Sequence, residues 1–168
     1  FESRRGKPVL NGAATSNGWW RFLAAKYGYA DSQIRPYTYN LAPFLSDKNA
    51  VQQGYVSNEP FLIREKTGIE PVVLALPDAG YLGYANIVTT SQKMVDAKPE
   101  VVQRFVDASI EGWYSYLFGN PAPANHLIRQ ANPEMPADLI AYGRQTMITR
   151  APWDSGAAKT SISWTSSR

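Results

Sequence analysis

Apolar and polar positions along the chain alternate between two periods. Gly6 to Asn11 is a short, partly apolar run that stops at Gly12 and is followed by a loop of small residues, Ala13-Ala-Thr-Ser-Asn17. Trp19, Trp20, Leu23, Ala24 and Tyr27 then fall at three- and four-residue spacings until Gly28, so a strand, a loop and a helix follow one another. Ile34 to Tyr39 makes a second strand candidate. Ser46 and Asn49 suit the start of a short helix that Gly54 would end, and Tyr55-Val-Ser57 has the aromatic and β-branched character of a brief strand. Pro60 restarts the chain as the first residue of another helix, which leaves Glu59 at a strand end. After Glu70-Pro71, the apolar run Val72 to Leu76 suits a buried parallel strand, and Pro77 to Tyr84, with two glycines and two tyrosines, is a loop. Strands alternating with helices predict an α/β layer architecture.

From Asn86 onward helices dominate. Ile87 to Thr90 is a short strand candidate, and Thr89 with Gln92 forms a capping-box pattern for a helix over Ser91 to Ala97. Pro99 opens a longer helix in which Val102, Phe105, Val106, Ser109, Trp113 and Leu117 keep helical spacing to Gly119 and are expected to be core. Asn120-Pro121 begins a helix with the single histidine, His126, and Met135-Pro136 begins a last one through about Met147. The tail, residues 151–168, has five serines and two isolated tryptophans, Trp153 and Trp164, without periodicity. No internal repeat is present.

Composition narrows the partners. Seventeen basic and fourteen acidic residues give a net charge of +3, but Lys and Arg are scattered, whereas nucleic acid demands a basic stripe. Cysteine is absent, which excludes disulfides, thiolate metal sites and cysteine nucleophiles and is compatible with an oxidising compartment. No apolar run approaches the ~20 residues needed to cross a bilayer. Because the chain begins at Phe1, in the polar segment Phe-Glu-Ser-Arg-Arg5, the natural N-terminus, with any export signal, is expected to lie upstream.

Candidate chemistry is that of binding. The Ala13–Asn17 loop offers backbone amides at a helix N-terminus, with the Thr15 and Ser16 hydroxyls and the Asn17 amide beside them; capping of the helix by Ser16 or Asn17 is the simpler alternative. Neither a dinucleotide fingerprint nor a Gly-Lys-Ser/Thr ending accompanies it. Glu59 would meet a ligand's amino group outside the carboxyl ends of the strands, or stand as a solvated turn residue. Tyr81 and Tyr84 can cover an aromatic ring. Catalysis is poorly supplied: His126 has no evident acid partner, and no serine triad, metal-ligand set or nucleophile elbow is present, so no catalytic residue, metal or cofactor is expected.

Several segments carry a resemblance. Asp47-Lys-Asn-Ala-Val-Gln-Gln-Gly-Tyr-Val-Ser-Asn-Glu-Pro60, Gly12-Ala-Ala-Thr-Ser-Asn-Gly-Trp-Trp20, Ala25-Lys-Tyr-Gly28 and Val101-Val-Gln-Arg-Phe-Val-Asp-Ala-Ser-Ile-Glu-Gly-Trp-Tyr114 resemble the solute-binding proteins of ABC importers, in the family that takes up sulfonates, nitrate or thiamine-pyrimidine precursors. The likeness runs from about Gly6 to Met147, and the tail departs from it. It implies a periplasmic-binding-protein-like type II fold, with 6–76 in the second lobe, 77–85 the inter-lobe crossing and 86–147 the return into the first. It further implies a periplasmic or lipid-anchored protein that delivers its ligand to a membrane permease, with no membrane insertion of this segment. An enzymatic alternative, the thiamine-pyrimidine synthases, uses a histidine and a cysteine-rich segment that have no counterpart placed here. Glu59 would repel an anion and welcome an aminopyrimidine, which tilts the expectation toward the pyrimidine class.

Overall fold

A computed structural model describes residues 1–83 and 87–150. Among them, three short strands, β1 (Val9–Asn11), β2 (Ile34–Pro36) and β3 (Val51–Gln52), form a parallel sheet in the order β2-β1-β3. Val9 aligns with Ile34 on one side and with Val51 on the other, so the most apolar strand is central. Helix α1 (Trp19–Tyr27) follows β1 and ends at Gly28, whose φ of 70° is the left-handed conformation that glycine adopts without a Cβ penalty. Its apolar stripe buries Trp20 and Leu23 against Val9 and Tyr29, with Ile34, Val51 and Leu76 packed around them. This cluster is the core of the first of two units into which the chain divides, Phe1–Tyr55 with Leu62–Asn86.

The second unit takes Val56–Phe61 and the residues from Ile87 onward. Its helices are α4 (Gln92–Ala97), α5 (Pro99–Phe118), α6 (Ala122–Ala131) and α7 (Ala137–Arg150). Pro99 stands at the first position of α5, as its preset φ favours. Arg144 of α7 donates from Nε to Tyr116 O (2.8 Å) and from Nη2 to Leu117 O (2.6 Å), placing a cation on the carbonyl end of α5. Tyr142 of the same helix donates to Val56 O (3.1 Å) and its ring lies 5.2 Å from that of Phe61. No helix among the described residues is long and apolar enough to cross a membrane.

Several expectations are corrected. The helix expected over Ser46 to Gly54 lies earlier, as α2 (Ala42–Ser46), because Asn40 Oδ1 accepts the Ala42 N–H (2.9 Å) and Pro43 presets the first turn. Asp47 Oδ1 then takes the Asn49 N–H (2.8 Å) in a side-chain turn, and the β-branched Val51 completes the open edge of β1. Tyr55-Val-Ser57, Val72 to Leu76 and Ile87 to Thr90 are not strands. Their composition suits a sheet, but none of them enters the ladder; Val72 is 89% exposed. Glu59 sits at the first position of helix α3 (Glu59–Thr67), rather than at a strand end. The cap of α4 is Ser91, whose hydroxyl accepts the Met94 N–H (3.2 Å), not Thr89. On α5 only Val106 and Leu117 are buried, while Phe105 is 53% and Trp113 47% exposed. The tail 151–168 lies outside the described residues.

Candidate functional site

The carboxyl end of β1 is flanked on both sides by parallel neighbours, the position at which open α/β sheets leave a crevice for ligands. Asn11, the last residue of β1, is buried. From there the chain makes a tight turn, Ala13–Thr15, and reaches α1 at Gly18, where no side chain caps the helix. Capping by Ser16 or Asn17 is therefore not their role: the chain enters α1 through Gly18, whose N–H donates to Thr15 O (3.1 Å). Anions are favoured at such an amino end by about 0.3–1 kcal/mol when it is exposed.

The loop is held from below. Gln53, just past β3, accepts the Gly12 N–H at Oε1 (2.8 Å). Thr15 Oγ1 lies against three oxygens: Asn11 Oδ1, Gly12 O (2.8 Å) and Gln53 Oε1 (3.0 Å). One hydroxyl hydrogen serves only one of them at a time. Asn11 Nδ2 is buried without a hydrogen-bond partner among the described residues, and exchanging the nitrogen and oxygen of that amide lets Nδ2 donate to the Thr15 oxygen, which frees the Thr15 hydroxyl hydrogen for Gly12 O or Gln53 Oε1. Thr15 thus fixes the loop from within. Ser16, half-buried, and Asn17, exposed, are left to face outward.

Tyr81 joins this group. Its ring packs on Phe22 of α1 at 5.4 Å, and its hydroxyl stands 3.5 Å from where a Cβ on Gly18 would lie. The segment that carries it is stapled to α1 by Lys26, which donates to Ala79 O (2.6 Å) with its ammonium 5.6 Å from the Phe22 and Tyr27 ring centres. The structure therefore brings together Thr15, Ser16, Asn17 and Tyr81. Glu59 is 6% exposed and belongs to the second unit, at the amino end of α3 where a carboxylate is favoured. Tyr84 lies outside the described residues. Asn11, Gln53 and Lys26 were missed from sequence; the signal for Asn11 was a polar residue closing a strand run beside a glycine. Among the described residues no group of three or more His, Cys, Asp or Glu could hold a metal ion, and His126 is exposed on α6.

A small parallel sheet with a ligand-type loop at the carboxyl end of its central strand, followed by a run of helices, is a partial type II periplasmic binding fold. Residues 9–124 match the family described as NMT1/THI5 like, and the chain belongs to that family of solute-binding proteins. It is also 30% identical over 154 residues to the riboflavin-binding protein RibY of Chloroflexus aurantiacus, an alignment covering 89% of this chain and 43% of the relative. The chain therefore spans less than half the length of that protein. No solved structure matches.

Proposed function

We propose that this chain takes part in capturing a small, neutral, planar nutrient outside the cytoplasm, as the solute-binding component of an ABC importer that hands its ligand to a membrane permease. One observation carries the choice of ligand. From Asn11 to Trp20 the chain has no charged residue, and what it presents is an amide, hydroxyls, backbone N–H groups and the ring of Tyr81. Those groups suit the carbonyl and ring nitrogen atoms of a heterocycle stacked on an aromatic face. Nitrate or a sulfonate would find only the amino end of α1. The name of the relative makes riboflavin one candidate, and an aminopyrimidine is the other. Family and relative both support binding over catalysis.

Titration of the purified full-length protein with riboflavin, an aminopyrimidine and nitrate tests this reading. Saturable binding of one heterocycle is expected, weakened about tenfold or more by Asn17→Ala and by Tyr81→Ala, the size of one good polar or stacking contact. Tight nitrate binding without heterocycle binding would overturn it.

A further inference from the structure

A second group of polar side chains lies where β1 and β2 begin, on the side of the first unit away from the carboxyl end of β1. Arg5 and Arg35 border one cavity of about 270 Å³ there, together with Ser32, Gln33, Gly6 and Gly28. The guanidinium of Arg35 is anchored directly, and the turn that carries Arg5 is held through its backbone. Gln33, only 5% exposed, donates from Nε2 to Arg4 O (3.2 Å) and Lys7 O (2.8 Å) while its Oε1 accepts the Ala30 N–H (2.9 Å). The backbone on both sides of Arg5 and Gly6 is thereby tied down. Arg35 donates from Nη1 to Ser32 O (2.8 Å) and Ile34 O (2.9 Å), which leaves its Nε and Nη2 without a partner among the described residues.

Charge around the cavity is uncompensated. No carboxylate lines it, and among the described residues neither arginine forms an ion pair. Asp31, the acid nearest in sequence to Arg35, is engaged elsewhere, accepting from Trp20 Nε1 (2.8 Å) and Arg21 Nη1 (3.2 Å). The carboxyl end of α1 at Gly28 brings about half a negative charge to this side. Two full positive charges outweigh it. A Cβ on Gly28 would stand 3.6 Å from Arg5 Nε, an ordinary contact distance, which puts the Arg5 side chain beside this end of α1.

We propose that this cavity is an oxyanion site of the phosphate class, in which the forks of Arg5 and Arg35 take up oxygens of one tetrahedral anion and Ser32 adds a hydroxyl. Paired guanidiniums recognise phosphate through parallel N–H···O bonds, which a point charge does not reproduce. The site stands apart from the solute loop and does not rest on the reading given above for that loop. The phosphate can be free or part of a lipid headgroup, and two measurements distinguish the sources.

Calorimetric titration of the full-length protein with inorganic phosphate, against chloride at equal ionic strength, should show saturable binding. Arg5→Gln and Arg35→Gln should each weaken it about tenfold or more, and Arg5→Lys should weaken it less than Arg5→Gln. Sedimentation with phosphatidylglycerol vesicles, against phosphatidylcholine, is the second measurement. Vesicle binding lost in both Gln variants, without free phosphate binding, assigns the site to a headgroup and upholds the arginine pair. Phosphate and vesicle binding that are both absent, or that both survive Arg5→Gln and Arg35→Gln, overturn the proposal. So does competition between phosphate and the solute, since it would place the anion in the other site. Both arginines are exposed, so folding of the variants is expected and is checked by circular dichroism.

Discussion

Trp20 is fully buried, yet its indole N–H reaches Asp31 Oδ1 at 2.8 Å, so one side chain closes the apolar core and also ties α1 to the turn that leads into β2. Trp20→Ala should cost about 3–5 kcal/mol, the range for emptying a large aromatic site, measured by urea unfolding. Asp31 carries the pH dependence of this contact. The hydrogen bond from Trp20 first, and that from Arg21 second, hold its carboxyl below the usual carboxylate range. A group with its folded value depressed adds stability above the unfolded value of about 3.9, and that contribution fades as pH falls through the lower folded value. Urea midpoints between neutral pH and pH 2 should therefore drop at the acid end, and Asp31→Asn should flatten that drop. An unchanged acid limb in Asp31→Asn would assign the pH dependence to other carboxylates. At Gly28 the backbone rather than space sets the cost: a Cβ would meet Arg5 only at ordinary contact distance, so the left-handed φ should make Gly28→Ala lose about 1–2 kcal/mol.

Elements were legible in the sequence where local signals agree. Helix α1, with its two-tryptophan stripe and terminal glycine, α5 between Pro99 and Gly119, and the strand ending at Asn11 all lie where periodicity and punctuation put them. Val72 to Leu76 failed for a physical reason: apolar β-branched residues favour extended chain, but a strand exists only beside a neighbour, and the neighbour is not encoded locally. Val51–Gln52 shows the converse, as two residues in a stretch with helix-like punctuation were drawn into the sheet by the free edge of β1. The site divides the same way. Ser16 and Asn17 could be named from the turn before a helix, whereas Gln53, distant in sequence from Gly12, is visible only once β3 lies beside β1. It has a measurable part: Gln53→Ala should leave the Gly12 N–H without its acceptor, cost about 1–3 kcal/mol, and weaken solute binding through the loop. Normal solute affinity in that variant would mean that the loop keeps its shape without the glutamine.

Across the whole molecule, apolar side chains remain at the surface. On α5 alone Val101, Phe105, Trp113, Tyr114 and Phe118 are exposed, and Val72, Leu82 and Ile87 add to them elsewhere. Such surface promotes association and binds hydrophobic dyes. This chain by itself should enhance ANS fluorescence and sediment as more than a monomer, and Phe105→Ser with Trp113→Ser should reduce both effects; a strictly monomeric, dye-silent chain would count against it. The second unit has a further property in time. Tyr142 and Val56, joined by the hydroxyl-to-carbonyl bond, stand 86 residues apart, and a Cβ on Gly143 would come within 3.2 Å of Ser57 O, so the early segment and the late helix fit closely. During synthesis at about 5–20 residues per second, Val56–Phe61 must wait several seconds for α7 to leave the ribosome. Until then that stretch has nothing to dock on, and a nascent chain arrested before Tyr142 should be cut by protease near Phe61 at a site the finished protein protects.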